Sequence, residues 1–172
     1  MPGSAEAIPL PDSSVDAVVA GNAMHWFDMG LAAPEIIRVL RSDGVLAGLW
    51  NVFDNRVDWV AQLERVSGAA AIGPRDTRSS WFAAPGDAHL PDLGTITDLR
   101  TPQRAEFSHG QQRNAEALVA TLATKAAVLV MPEWERATTL ERVRDFLAGR
   151  PETAHGEFTL PMLTAVLRAQ RL

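Results

Sequence analysis

The chain has no cysteine among its 172 residues. Disulfide bonds, cysteine-ligated zinc and thiol nucleophiles are therefore excluded together, and the composition is compatible with a reducing compartment. No apolar run approaches the roughly 20 residues that a membrane-spanning helix needs, and the first residues lack the basic start and apolar stretch of a signal peptide. A cytoplasmic location is expected.

The chain also lacks an excess of positive charge. It has 16 Lys and Arg against 21 Asp and Glu, for a formal net charge of -5. This balance gives no broad positive field to attract a polyanion, so the expected partner is a small-molecule substrate, with no nucleic acid and no membrane. The 47% hydrophobic and 22% charged residues are typical of a single soluble globular domain.

Residues 15–51 carry the pattern of a strand, a helix and a second strand. The run from Val15 to Ala20 is almost continuously apolar, which favours a parallel strand covered on both faces. Asp28 predicts the N-cap of a helix that continues to the RSDG stretch, where Gly44 is available for a left-handed cap. The apolar run from Val45 to Asn51 completes a βαβ unit with parallel strands.

The remaining sequence predicts a mixture of helices and strands around one long loop. Helical spacing occurs near 57–66, 113–130 and 134–149, and strand patterns occur near 95–109 and 156–170, with the last strand antiparallel to its neighbours. We therefore expect one domain, 1–172, made of an N-terminal core (1–66), a flap loop carrying Trp81 and Phe82 (67–95), and C-terminal strands and helices (96–172).

Two stretches carry a family resemblance. GSAEAIPLPDSSVDAVVAGNAMHWFD (3–28), followed by EIIRVLRSDGVLAGLWN (35–51), resembles class I S-adenosylmethionine-dependent methyltransferases of type 11, the trans-aconitate methyltransferase-like kind. The resemblance covers roughly residues 3–60. It implies an α/β, Rossmann-like fold in which a mixed sheet is flanked by helices and 1–66 forms the cofactor side. It also implies an enzyme with S-adenosylmethionine as cofactor and methyl transfer to a small-molecule acceptor.

The sequence departs from this family in one respect. The family's first strand with its G-x-G-x-G turn, and the acidic residue that ends its second strand, have no counterpart here. Because that turn allows close backbone approach to a cofactor, the resemblance is to the C-terminal two-thirds of such an enzyme. A partial fold lacking the first strands is expected. The alternative is a non-catalytic methyltransferase remnant that acts as an interaction or dimerisation module.

The resemblance places candidate site residues in two loops. In this family the GSAE element lies beside the adenine, so that Ser4 would accept from its amino group and the Ala5 amide would donate to a ring nitrogen. The GNAMHW element ends a strand beside the sulfonium, at an end where open α/β sheets bind ligands. There Asn22 would hold the methionine ammonium, Trp26 would offer a π-face to the cation, and His25 would be the catalytic residue.

Plainer alternatives stand beside these assignments. His25 and Trp26 could simply begin the following helix, and the GSAE element could be a surface loop in which Glu6 is solvated. The role of His25 also depends on the acceptor. An acceptor that arrives ionised, such as a carboxylate, needs only positioning, whereas a hydroxyl needs a base, for which His25 is the candidate.

Other polar and aromatic residues are assigned structural roles. No metal is expected, because the remaining histidines, His89, His109 and His155, have no partner at ligand spacing. Asp54 and Asp58 are attributed to helix capping and dipole stabilisation. Four tryptophans are predicted to lie in the core, namely Trp50, Trp59, Trp81 and Trp134. Of these, only Trp50, at a strand end, is predicted to lie close to a pocket.

The missing strand leads to an expectation about assembly. In the complete family fold it would lie beside the strand that contains Val15 to Ala20, so without it this strand forms a sheet edge. No Lys, Pro or bulge signal interrupts Ala17 to Ala20, and unprotected apolar edges pair with other chains. We expect a homodimer with two-fold symmetry, or else cover of the edge by the first ten residues.

Overall fold

The structure is a computed structural model that describes residues 2–70, 93 and 96–172. The flap loop predicted at 67–95, with Trp81 and Phe82, lies mostly outside the described residues, as does His89. Short 3-10 turns lie at Met24–Trp26 and Gly68–Ala70. The helices and strands, in chain order, are β1 (Val15–Gly21), α1 (Met29–Val39), β2 (Leu40–Phe53), α2 (Asp58–Ser67), β3 (Gln103–Arg113), α3 (Ala115–Ala123), α4 (Ala126–Leu129), α5 (Glu133–Ala148) and β4 (Phe158–Gln170).

The four strands form a mixed sheet in the order β1-β2-β4-β3. β1 and β2 are parallel, with Val18 opposite Leu46. Strands β2 and β4 are antiparallel. The Arg171 N–H, after the end of β4, donates to the Gly44 carbonyl near the start of β2, and the Asp54 N–H, after the end of β2, donates to the Pro161 carbonyl near the start of β4. The predicted α/β class, the parallel βαβ pair and the antiparallel last strand are confirmed. No helix among the described residues is long and apolar enough to cross a membrane.

Helix α1 begins as predicted and ends earlier than predicted. The Asp28 carboxylate accepts from the Gly30 N–H at 3.0 Å, as an N-cap does. The helix ends at Val39, because the carbonyls of Arg38 and Val39 accept from the backbone N–H groups of the two serines that precede β1, each at 2.8 Å. The chain then enters β2 directly, and the prediction of a left-handed cap at Gly44 is wrong.

Residues 41–44 form an irregularity inside β2. The register between β1 and β2 shifts there, from Val15 opposite Leu40 to Ala17 opposite Val45. Asp43 takes the left-handed conformation, with φ 64°, which Asp tolerates better than most residues. Gly44 is buried, and a Cβ on it would lie 2.8 Å from the Arg41 carbonyl oxygen. Its role is therefore close packing rather than a turn.

The described residues divide into two compact units. The site unit comprises 2–50, 93, 96–106 and 165–172, and the helical unit comprises 51–70 and 107–164. The helical unit has its own apolar core, in which Trp59 meets Phe158 edge to face at 6.0 Å between ring centroids. The fully buried side chains of this core include Val60, Leu63, Leu118, Leu122, Val143, Leu147 and Leu160.

The core assignment of the tryptophans is right for Trp50 and Trp59 and wrong for Trp134. Trp134 is 72% exposed, in the first turn of α5. This helix buries a stripe that includes Val143. Trp134 lies nine positions before Val143, which is about half a turn around an α-helix, so it projects from the opposite face.

Strand β1 is the outer strand of the sheet, as predicted, yet it is not covered on both faces. Only Ala20 is buried in it, and Val19 is 64% exposed. β2 is its one sheet neighbour within the described part of the chain. The expectation of a strand covered on both faces is therefore wrong, because a continuous apolar pattern cannot reveal which covering elements are present.

Asp54 makes a two-point ion pair rather than a helix cap. Its carboxylate is buried and accepts from Arg56, with Nε to Oδ1 at 2.7 Å and Nη2 to Oδ2 at 2.8 Å. The N-cap of α2 is Val57, without a side-chain hydrogen bond, so the capping role assigned to Asp54 is wrong. The hydrogen bonds from Arg56 hold the pKa of Asp54 below its usual range despite burial, which acts in the opposite direction.

Asp54→Asn is expected to lower the free energy of unfolding by about 1 kcal/mol near neutral pH, a modest value because Arg56 is half exposed. A carboxyl group whose pKa is lower in the folded state than in the unfolded state makes its full contribution to the free energy of unfolding at pH values above the unfolded-state pKa. This contribution disappears as the pH falls through the folded-state pKa. Urea denaturation between neutral and acidic pH should therefore show the two proteins converging in acid. A constant difference across this range would contradict the prediction.

Candidate functional site at the end of strand β1

The candidate site begins where β1 ends. The Asn22 N–H still donates to the Leu49 carbonyl at 2.8 Å, as an extension of the β1–β2 pairing. Asn22 itself has φ 48°, the left-handed conformation that Asn tolerates. The chain turns there and enters the 3-10 turn, which is anchored by the fully buried Met24 and has His25 and Trp26 exposed. Three predicted site residues therefore follow one strand end.

His25 is in contact with the neighbouring strand through Trp50. Trp50 is 5% exposed, and its indole Nε1 donates to His25 Nδ1 at 3.4 Å. The rings of His25 and Trp26 lie 5.3 Å apart between centroids, tilted by 35°. The structure therefore places Trp50 next to His25, and its predicted position near a pocket stays a prediction.

Gly48 makes room for the Trp50 ring. A Cβ at position 48 would lie 2.3 Å from Trp50 Cη2 and 2.7 Å from Cζ3, and also 3.1 Å from Met24 Cε. Any side chain at this position would displace the indole. This role of Gly48 was not predicted from the sequence. A glycine two positions before a tryptophan on one strand could have indicated it, since both residues face the same side of the sheet.

The GSAE element is a tight turn held to the start of α1. The Ala7 N–H donates to the Ser4 carbonyl at 3.2 Å, and Glu6 Oε1 accepts from the Asp28 N–H at 3.1 Å. Glu6 is partly buried, and its carboxylate makes this hydrogen bond in addition to its expected contact with solvent. The local sequence around Glu6 could not predict this hydrogen bond, because the partner is a backbone group 22 residues away.

The charge of Glu6 is stabilised by this turn. Its own backbone N–H, the Ser4 hydroxyl and the Asp28 N–H hold the pKa of Glu6 below its usual range. Ser4 is therefore engaged with Glu6, in addition to the adenine contact predicted for it. Ala5 is half-buried in the same turn. The ligand contacts of both residues stay predictions, as do those of Asn22, His25 and Trp26.

Arg38 fixes the segment between the GSAE turn and β1. From α1, its guanidinium donates to the carbonyls of Ile8 and Leu10 at 2.9 and 2.8 Å and to the Asp12 carboxylate at 2.7 Å, and it also contacts Glu35. The turn is thus held at both ends, by Glu6 on one side and by Arg38 on the other. Two of the polar contacts are to backbone, which makes them independent of side-chain identity.

The described residues contain no group of three or more His, Cys, Asp or Glu side chains arranged to hold a metal ion. The helical unit has an open cleft between α2 and α5, with a volume of about 550 Å³. It includes none of the predicted site residues, and its lining is Gln62, Arg65, Val66, Asp145, Phe146, Gly149 and Arg150.

Comparisons with known proteins find similarity to methyltransferases. Residues 1–48 match the sequence profile of the family described as methyltransferase domain. The chain is 36% identical over 168 residues to uncharacterized methyltransferases of Mycobacterium bovis and Mycobacterium tuberculosis, covering 97% of this chain and 63% of each relative. A methyltransferase of Schizosaccharomyces pombe, also uncharacterized, is 47% identical over 72 residues, which is 42% of this chain and 29% of that protein. The chain thus spans less than two thirds of these relatives.

A solved structure shares the fold. A protein of Anaeromyxobacter dehalogenans, proposed to be a type II methyltransferase, matches with a TM-score of 0.58 and 24% identity, over 98% of this chain and 69% of that one. This likeness shows the fold, an α/β mixed sheet flanked by helices. The profile match is limited to residues 1–48, and the Mycobacterium relatives are themselves described as methyltransferases.

Proposed function

We propose that this chain contributes to S-adenosylmethionine-dependent methyl transfer to a small-molecule acceptor, in an enzyme of the trans-aconitate methyltransferase-like kind. The observation that carries the proposal is the overlap between the methyltransferase domain match, residues 1–48, and the strand-end site. That segment contains the GSAE turn, β1 and the 3-10 turn, joined by the bond from the Asp28 N–H to Glu6.

The side chains at the strand end have the chemistry that such a cofactor needs. Its sulfonium supplies an activated methyl group. Trp26 is 60% exposed, and an indole face attracts a cation. The Asn22 amide oxygen is an acceptor suited to an ammonium group, and the Ala5 N–H is a donor suited to a ring nitrogen. Glu6 and Arg38 would act indirectly, by fixing the turn that carries Ala5.

These residues fit only part of the cofactor. The 172 residues contain no G-x-G-x-G turn, the element that brings backbone close to a cofactor in related folds. We therefore propose that the chain corresponds to the C-terminal two-thirds of the family fold. Asn22, Trp26 and the GSAE turn would then complete a pocket whose remaining wall comes from a Gly-rich turn.

Calorimetric titration with S-adenosylmethionine tests the proposal in two proteins. One is the chain itself, and the other is a chimera that adds the part of the Mycobacterium tuberculosis relative lying outside the matched 168 residues. We expect binding in at least the chimera, weakened about tenfold or more by Asn22→Ala, since a charged group would lose its partner. Asn55→Ala, which alters an asparagine of the helical unit, is the matched control. Absence of binding in both proteins would reject the proposal.

A second candidate function, self-association as a homodimer, is favoured by the exposed edge of β1. Val19 is 64% exposed, and the outer edge of β1 pairs with no strand of the described chain. Such an edge has unpaired N–H and carbonyl groups and templates pairing with a second strand. This candidate is compatible with methyl transfer and also describes a non-catalytic interaction module.

Val19→Lys is expected to convert a dimer into a monomer, because a charged edge residue opposes strand pairing. Val19 is a better position than the partly buried Val18, where lysine would also disturb the sheet. Light scattering at micromolar concentration measures the mass. Val130→Lys is the control, since Val130 is 82% exposed and follows α4. A monomeric wild-type chain with a cooperative melting transition would contradict the exposed-edge argument.

A further inference from the structure

We infer that Trp50 is a positioning residue that holds His25 as the Nε2–H tautomer, so that His25 donates a hydrogen bond to an anionic acceptor oxygen instead of removing a proton. The tautomer follows from the geometry of the site unit alone. The consequence for the acceptor rests on the proposed methyl transfer. It favours the ionised acceptor over the hydroxyl acceptor, the two kinds that the sequence left open.

The direction of the bond between Trp50 and His25 fixes the tautomer. An indole N–H can only donate, so His25 Nδ1, at 3.4 Å, must be the acceptor. A neutral imidazole has one protonated and one bare nitrogen, and its tautomer is set by the hydrogen bond that one of them makes. With Nδ1 bare, the proton of neutral His25 is on Nε2.

The packing around Trp50 keeps this arrangement in place. Trp50 is buried in β2, and its six-membered ring lies where a Cβ of residue 48 would otherwise be. Met24, the fully buried residue beside His25, lies against the same point with its Cε. Because Trp50 is buried and its ring occupies the space that Gly48 leaves open, the indole is held with its Nε1 directed at His25.

This tautomer is unsuited to general base catalysis. Nε2 already has a proton, and the Nδ1 lone pair is used by Trp50, so accepting a proton from a hydroxyl acceptor would require breaking the bond to Trp50. An anionic oxygen requires no base. Its lone pair forms the bond to the methyl carbon while the carbon–sulfur bond breaks and its electron pair goes to sulfur, and no proton moves. The Nε2–H group of His25 can orient such an anion by a charge-assisted hydrogen bond.

The tautomer can be measured directly by long-range 1H–15N NMR of the full chain with 15N-labelled histidine. His25 is assigned by the signal lost in His25→Gln. We expect its Nε2 protonated and its Nδ1 bare in the wild type, and loss of this single tautomer in Trp50→Phe with the His109 and His155 signals unchanged. Trp59→Phe, a matched change at another buried tryptophan, should leave His25 unaffected. A proton on Nδ1 in the wild type would overturn the inference, even if Trp50→Phe failed to fold.

The donor role is tested with a simple anion. Addition of sodium acetate is expected to shift the Nε2–H signal of His25, whereas the same concentrations of ethanol or sodium chloride leave it in place. Equal responses to acetate and ethanol, or no response to acetate, would refute the donor role. Neither measurement needs cofactor or turnover. Failure of S-adenosylmethionine binding would therefore reject the proposed function without affecting the result for His25. Conversely, a refuted tautomer or donor role of His25 would not affect the binding result.

Discussion

Gly48→Ala is expected to disrupt the strand-end site and to lower the free energy of unfolding by about 1–3 kcal/mol, the usual cost of forcing extra atoms into a packed core. The new Cβ would lie 2.3 and 2.7 Å from two ring carbons of Trp50, well inside ordinary contact distance. The rigid indole cannot bend away as a flexible chain end would. It must rotate or shift, and the bond from its Nε1 to His25 is then lost.

Chemical denaturation measures the stability loss of Gly48→Ala, and the indole N–H signal of Trp50 in NMR spectra reports its displacement. Gly21→Ala is the matched control in the same sheet, because a Cβ at Gly21 meets nothing within 4 Å. That variant should differ from the wild type by no more than about 0.5 kcal/mol. Equal effects of the two substitutions would show that the indole of Trp50 does not depend on the missing Cβ at Gly48.

Leu160→Ala is expected to lower the free energy of unfolding by about 2–5 kcal/mol, through lost burial and the cavity left behind. Leu160 is 0% exposed in β4 and packs in the core of the helical unit. A strand residue enclosed by helices has little freedom to collapse into the vacated space, so the cost should lie toward the upper part of this range.

Urea denaturation followed by circular dichroism gives the effect of Leu160→Ala. Leu129→Ala removes the same atoms from a side chain that is 59% exposed, and it should cost no more than about 0.5 kcal/mol. If the two leucines proved equally costly, the assignment of Leu160 to the core would be wrong. The comparison also separates core packing from any general effect of shortening a leucine.

Some elements follow from local sequence alone. The apolar run at Val15, the N-cap at Asp28 and the second apolar run gave the parallel βαβ pair, because strand and cap preferences depend on nearby residues. The helix predicted at 134–149 is α5, almost to the residue. The helix predicted at 113–130 is interrupted between α3 and α4, where no glycine or proline marks the break.

The surroundings of the candidate site required the tertiary structure. The sequence predicted that Asn22, His25 and Trp26 follow a strand, because polar residues after an apolar run can be recognised from the order of residues alone. It did not pair Glu6 with the Asp28 N–H, or Trp50 with His25, because each contact joins groups more than 20 residues apart. The role of Gly48 in leaving space for the Trp50 indole was not predicted from the sequence for the same reason.

The sequence by itself predicted the parallel β1–β2 pair, the N-cap of α1, helix α5 and the antiparallel last strand, whereas the site at the end of β1 stays a prediction. Tertiary structure alone decided that α1 stops at Val39, that β1 is exposed at Val19, and that Trp50 donates to His25. The physical reason is that periodicity and capping are properties of neighbouring residues, whereas burial and hydrogen-bond direction depend on which distant backbone or side chain occupies the adjacent space.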